Sequence, residues 1–113
     1  MSTSLAIRLL AETLRTLAFG SISGTYAALG SALANPCRIL YIVNNTDALL
    51  TFSFDGVNDH FVIPSMSFMI LDVTSNMSIP GGWLTIAQGT KIYVKGSPGA
   101  GSVYLSVFYG GNG

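Results

Sequence analysis

Charged side chains are scarce in this sequence. Five lysine and arginine residues and five aspartate and glutamate residues occur among 113, so charged residues make up 9% and the formal net charge is zero. An ordinary soluble domain carries about 25% charged residues. A neutral chain has no long-range attraction to a phosphate backbone or to anionic lipid, so we expect neither nucleic acid nor a membrane as a partner.

The residue types that most often carry catalysis and metal binding are scarce too. The sequence has one cysteine, Cys37, and one histidine, His60. A disulfide within the chain is therefore excluded, and we expect Cys37 to be a buried thiol. Ser-His-Asp chemistry needs an acid that orients the histidine, but neighbours on a strand, such as Asp59 and His60, point to opposite faces. No Gly-x-Ser-x-Gly motif is present, and we predict neither enzyme activity nor a cofactor.

Long apolar runs are also missing, although half of the residues are hydrophobic. A membrane-spanning helix needs about 18 consecutive apolar residues, and the longest stretch, 37–43, includes Arg38. Near the N-terminus, Arg8, Glu12 and Arg15 interrupt the part of a signal peptide that should be uniformly apolar. We therefore expect neither a membrane span nor secretion by that route.

Aromatic residues and methionine accompany this shortage of charge, with five tyrosines, six phenylalanines and four methionines. Small soluble domains usually protect exposed strand edges with lysine or proline, and this chain has two lysines and four prolines. Interface cores, by contrast, are depleted of charge and enriched in aromatic residues and methionine. The composition predicts surfaces covered by copies of the chain or by partner proteins. The alternative is a compact core under an uncharged surface of Ser, Thr, Asn and Gly.

Residues 4–17 carry the only helical pattern in the sequence. Five leucines recur there at helical spacing: Leu5, Leu9, Leu10, Leu14 and Leu17. They predict an amphipathic helix of about three turns, which needs a surface to lie against. Leu5, Leu9 and Leu14 are therefore the candidate contact residues of an N-terminal helix or extended arm, residues 1–34. The alternative is that 13–22 form a strand, and the spacing does not decide between the two.

From residue 35 onward, short apolar runs alternate with turn residues. The run at 37–43 is almost continuously apolar, which is typical of a strand covered on both faces, whereas 48–54 alternate between apolar and polar. About seven such strands, with turn signals every 8 to 12 residues, predict an all-β fold. We expect one antiparallel β-sandwich or jelly-roll over 35–109, followed by a flexible tail at 110–113.

One loop contains the best candidates for a metal site, Asp55, Asn58, Asp59 and His60. Calcium prefers six to eight oxygen ligands, and this loop supplies about half of them. Its spacing does not match an EF-hand loop, and zinc would need more His and Cys than the chain has. We therefore predict a turn stabilised by Asx hydrogen bonds, and no bound metal.

Four segments, 37–47, 52–60, 71–76 and 89–95, resemble small structural proteins encoded among the virion genes of tailed bacteriophages. The resemblance covers about residues 36–109. It implies a β-sandwich subunit that forms rings at the neck, cements the capsid or belongs to the tail. It supplies no catalytic residue.

The resemblance and the composition together predict a non-enzymatic virion component that assembles in the bacterial cytoplasm. We expect a symmetric oligomer at the head-to-tail neck or collar. Its partners would be copies of itself and other virion proteins of the connector, capsid or tail. Two alternatives stay open: a capsid decoration or cement protein, and a tail-associated module that recognises a receptor or glycan through the single tryptophan, Trp83.

Overall fold

The computed structural model describes residues 8–73 and 86–111, which form nine β-strands and one turn of 3-10 helix, Phe19–Ser21. The strands are β1 (Arg8–Ala11), β2 (Arg15–Ala18), β3 (Ala27–Ala28), β4 (Cys37–Thr46), β5 (Leu50–Ser53), β6 (Phe61–Ile63), β7 (Ser67–Asp72), β8 (Tyr93–Lys95) and β9 (Gly101–Gly111). All pair antiparallel in two sheets that pack on each other. This confirms the predicted β-sandwich. Its sheets extend beyond the predicted bounds of 35–109, because three strands precede residue 35 and β9 continues to Gly111, inside the predicted tail.

The larger sheet has five strands and is organised around β9. Its order is β1-β9-β4-β7, and β2 also pairs with β9. Both N-terminal strands lie along the same edge of the 11-residue β9, with β1 opposite 108–111 and β2 opposite 102–105. The smaller sheet has four strands in the order β3-β8-β5-β6.

The predicted N-terminal helix over 4–17 is wrong for the residues that the structure describes. Residues 8–11 and 15–18 are strands, which favours the alternative of a strand within 13–22. The physical reason is β9, which lies far away in the sequence and would otherwise leave a row of backbone N–H and C=O groups unpaired. A helix of about three turns is only marginally stable alone, so pairing with β9 wins.

The core lies between the two sheets. Leu40 and Ile42 of β4 face Phe52 of β5 and Val94 of β8 in one cluster of buried side chains. Phe52 also stacks on Phe61 of β6, with ring centroids 5.2 Å apart. The alternation predicted for 48–54 therefore places its apolar side chains correctly.

Only one face of β4 is fully covered within the described part of the chain. Leu40 and Ile42 are fully buried, whereas Ile39, Tyr41 and Val43 on the opposite face are half-buried. The prediction of a strand covered on both faces is therefore wrong for this chain taken alone. The four-stranded sheet covers the inner side of β4, and no described element packs on the outer side.

Candidate functional site

The side chains of the five-stranded sheet that point away from the core form a surface that we call the outer face. Its bulkiest part lies on β4 and β7, where Val43 is opposite Phe68 and Tyr41 is opposite Ile70. Phe68 is 60% exposed and Ile70 54% exposed. The Tyr41 ring meets the Phe68 ring edge-on, with centroids 5.5 Å apart. Large apolar side chains therefore lie beside one another in contact with solvent.

The outer face continues across β9 to the two N-terminal strands. Tyr104 and Phe108 lie on this face because they pair with Val43 and Ile39 of β4. Beyond β9, Thr16 lies opposite Tyr104, Ala11 lies opposite Phe108, and Leu9 lies opposite Gly110 at the end of the face. The face therefore has a bulky side, formed by β4 and β7, and a side formed by β1 and β2 that is shallow except at Leu9.

Charge on the outer face is confined to one end. Asp72, opposite Ile39, is the charged residue that the described strand pairings place there. Arg38 lies at the same end, at the β-bulge between Cys37 and Ile39. An antiparallel sheet that faces water normally carries polar side chains on that side. The outer face departs from this rule.

The outer side of the four-stranded sheet is more polar. Thr51, Lys95 and Val62 occupy one row across this sheet, since Thr51 pairs with both of the others. The Lys95 ammonium lies 4.7 Å from the centroid of the Tyr26 ring and 2.9 Å from a carboxylate oxygen of Asp59. The two sides of the sandwich thus differ in chemistry.

The loop that follows β5 is a closed turn built around the carboxylate of Asp55. One of its oxygens accepts hydrogen bonds from the backbone N–H groups of Val57 and Asn58, each at 2.8 Å, and from the Ser53 hydroxyl at 2.8 Å. The other oxygen accepts a hydrogen bond from the Asn58 side chain. The two backbone N–H groups are the main reason that the pKa of Asp55 lies well below its usual range. These hydrogen bonds form the Asx-type turn that the sequence predicts.

The other acidic residue of this loop, Asp59, contacts different partners. It accepts a hydrogen bond from the Tyr26 hydroxyl at 2.5 Å and pairs with Lys95, and these contacts lower the pKa of Asp59. Partial desolvation and then the bond to Asp59 raise the pKa of Tyr26 to about 12. The carboxylates of the metal candidates Asp55 and Asp59 thus accept hydrogen bonds from protein donors, and Asn58 is one of the donors to Asp55. The described residues contain no group of three or more His, Cys, Asp or Glu that would hold a metal ion.

His60 ends this loop and lies near a serine that sequence reasoning did not single out. Its Nδ1 accepts the Phe54 N–H at 3.0 Å and lies 3.5 Å from the Ser53 oxygen, while Nε2 lies 3.9 Å from Asp55. Ser53 is fully buried, and its hydroxyl already donates to Asp55. A buried hydroxyl that is engaged in a turn is not placed to attack a substrate.

A buried ion pair connects the N-terminal strands to the loop before β4. Arg15 and Glu12 meet at 2.7 Å, with side chains only 8% and 6% exposed. The guanidinium also donates to the carbonyl oxygens of Ser31 and Ala32. Glu12 accepts from both the backbone and the side chain of Asn35, each at 3.0 Å. Burial alone would raise the pKa of Glu12, but the hydrogen bonds from Arg15 and Asn35 outweigh burial and lower the pKa.

Two further observations show how tightly this region is packed. Gly30 has a φ of +76°, and a Cβ there would lie 2.8 Å from Cβ of Arg15, so only glycine fits under the arginine. Cys37 is fully buried as predicted, and burial, followed by the nearby Glu12 carboxylate, raises the pKa of the Cys37 thiol to about 11. The thiol therefore stays protonated at neutral pH.

The structure places two of the three predicted contact leucines, Leu9 and Leu14, in different parts of the molecule. Leu9 is 54% exposed and lies opposite Gly110 at one end of the outer face, whereas Leu14 is 53% exposed in the connection between β1 and β2. Leu5 and Trp83 lie outside the described residues. Sequence reasoning missed Phe68 and Ile70, although the apolar run at 37–43 already signalled that the strand beside them had two apolar faces.

Comparisons with known proteins identify no relative. The chain matches no protein-family model, no curated protein and no solved structure. Within 8–73 and 86–111, no helix has the length and apolar character needed to cross a membrane.

Proposed function

We propose that this chain is a non-enzymatic structural subunit of a tailed-phage virion, located at the head-to-tail neck or collar. The observation that carries the proposal is the outer face, where Phe68 and Ile70 are more than half exposed beside Tyr41. Contiguous apolar patches of this kind are rare on monomeric proteins and mark interaction surfaces. The resemblance of segments within 36–109 to virion proteins gives the setting.

The mechanism of such a subunit is mechanical. Apolar area removed from water contributes about 25 cal/mol per Å², and association costs offset part of this gain. Contacts repeated around a ring or lattice hold many subunits together even where one contact is weak. The scarcity of charge suits this role, because few ionised groups would have to lose their water when copies and neighbouring virion proteins cover the surface.

A capsid decoration protein would use the same kind of surface, and it is the second candidate. The glycan-binding alternative depended on Trp83, which is outside the described residues, so no structural observation favours it.

Immunogold electron microscopy of purified particles tests the proposal. We expect antibodies against the chain to label the junction between head and tail. Labelling spread over the capsid would instead support the decoration protein. The absence of the chain from purified particles, established by mass spectrometry, would refute a virion role altogether.

A further inference from the structure

The outer face resembles a sandwich interior more than a sandwich surface. Ile39, Tyr41 and Val43 alternate with Leu40 and Ile42, so that β4 presents apolar side chains on both of its faces. Strands with this pattern are normally covered on both sides. In the described part of the chain the inner cover is the four-stranded sheet, and no described element covers the outer side.

Resting on the proposed role as an assembling subunit, we infer that the occupant of the outer face is a second copy of this chain, bound face to face as a two-fold dimer. Three observations select this partner: the size of the face, its charge, and the distribution of large and small side chains over it.

The size of the face matches what a stable dimer needs. Strands lie about 4.8 Å apart and rise about 3.3 Å per residue, so a face four strands wide and eight or nine residues long covers about 550 Å². Two such faces together bury about 1,100 Å², which exceeds the value of about 1,000 Å² expected of a biological interface with good complementarity. A second copy therefore covers the whole face with no need for a further partner.

The charge of the face also suits a second copy. The centre of the face offers only apolar, hydroxyl and amide side chains, and the charged groups Asp72 and Arg38 lie at one end. A charged partner would lose hydration there and gain no ion pair. Two copies with a formal net charge of zero approach without long-range repulsion.

The distribution of large and small side chains makes the face complementary in shape to a second copy of itself. Bulky residues, Tyr41, Phe68 and Ile70, occupy the β4 and β7 side, whereas the small residues Ala11 and Thr16 occupy most of the opposite side, which has Leu9 only at its end. A two-fold axis that lies in the interface and runs along the strands turns the bulky side of one copy onto the shallow side of the other. Large side chains then pack against small ones, as in a close-packed interior.

Pairing through the edge of β7 is the rival arrangement. Among the described residues, β7 pairs with β4 alone, so no described strand pairs with its outer edge. An edge contact would extend the sheet but leave Tyr41 and Val43 in water. The face contact covers these residues, and we infer it for that reason.

Two lysine substitutions with equal starting exposure test the surface. Ile70 on the outer face and Val62 on the outer side of the smaller sheet are each 54% exposed, and each lies on an edge strand. Sedimentation equilibrium should show dimers of the wild type at micromolar concentration. Ile70→Lys should raise the dissociation constant at least about 100-fold, because each dimer would bury the unpaired charge twice. Val62→Lys should leave the dissociation constant within about threefold of the wild-type value.

Circular dichroism will show whether both variants keep the wild-type fold, as expected for exposed positions. A wild type that is monomeric at millimolar concentration would overturn the inference. So would an Ile70→Lys variant that is folded and still dimeric, or a Val62→Lys variant that dissociates to the same extent.

Thiol cross-linking tests the orientation, since the buried Cys37 gives little background. Thr16→Cys and Phe68→Cys proteins, mixed above the dissociation constant and treated with a short bis-maleimide, should give a mixed covalent dimer. Phe68→Cys alone should cross-link poorly. Efficient cross-linking of Phe68→Cys to itself would instead place β7 against β7 and overturn the proposed arrangement.

These results separate the inference from the proposed function. A monomer in solution that is nevertheless found in virions refutes the dimer and leaves the virion role intact. A dimer that is absent from virions does the reverse.

Discussion

Removing the carboxylate of Glu12 should destabilise the fold by about 4 kcal/mol, because its side chain is a centre of a buried polar network. Glu12 pairs with Arg15 at 2.7 Å and accepts two hydrogen bonds from Asn35. These contacts hold the β1–β2 segment, which lies at the edge of the larger sheet, against the loop that leads into β4.

The magnitude follows from what Glu12→Ala leaves behind. Arg15 would keep the carbonyl oxygens of Ser31 and Ala32 as acceptors but lose its counter-charge while only 8% exposed. Removing one partner of a buried ion pair typically lowers the free energy of unfolding by about 3–5 kcal/mol. The half-buried N–H of Asn35 would lose its acceptor at a cost of about 1 kcal/mol. Partial access of water to the network brings the sum back to about 4 kcal/mol.

Urea unfolding and thermal melting measure this change. A loss of about 4 kcal/mol corresponds to a fall in Tm of roughly 15 °C for a domain of this size. The double variant Glu12→Ala/Arg15→Met should regain more than half of the loss, because the unpaired charge is then gone. A Glu12→Ala protein within 1 kcal/mol of the wild type, or a double variant less stable than Glu12→Ala, would refute this reasoning.

Three further predictions concern stability. Gly101→Ala should cost more than about 3 kcal/mol in urea unfolding, because a Cβ would lie 2.1 Å from the Asn45 carbonyl oxygen at a φ of +94°; wild-type stability would contradict this. Met66→Gly should stabilise by up to about 1 kcal/mol, since Met66 is exposed at a φ of +57°, and a lower Tm would count against the strain. Because the folded pKa of Glu12 is lowered, its stabilisation is present above its unfolded pKa of about 4.3 and is lost as pH falls through the folded value. Glu12→Gln should therefore be less stable at pH 7 and flatten the acid limb of the stability profile, and an unchanged acid limb would contradict this.

The sandwich could be predicted from the sequence because its signals are local. Turn residues and the alternation around Leu50 and Phe52 are properties of neighbouring residues, and the structure buries both side chains as expected. Ile92 and Val94, which alternate with Lys91 and Tyr93, are buried in the same way.

The N-terminal strands could not be predicted in the same way. Residues 8–11 and 15–18 are strands because β9, some ninety residues later, offers them an edge. Leucine spacing reports only what a segment would do alone, and this non-local pairing overrides it.

The polar contacts also fall into two groups: those between sequence neighbours, which the sequence predicts, and those between distant segments, which it does not. The Asx-type turn at Asp55 follows from Asp55-Gly56 and Asn58, which are adjacent in sequence. The burial of Glu12 and Arg15 depends on a loop some twenty residues away, so the spacing of the two residues in the sequence does not reveal it. The exposure of Phe68 and Ile70 was missed because alternation shows which side chains share one side of a strand. It does not show whether the chain itself covers that side.

If a second copy of the chain covers the outer face, the protein dimerises in solution. Sedimentation velocity of the wild-type protein over a dilution series from millimolar to nanomolar measures this dimerisation. We predict a dimer that dissociates to monomer only in the lower part of this range. A single monomeric species at every concentration would contradict the inference.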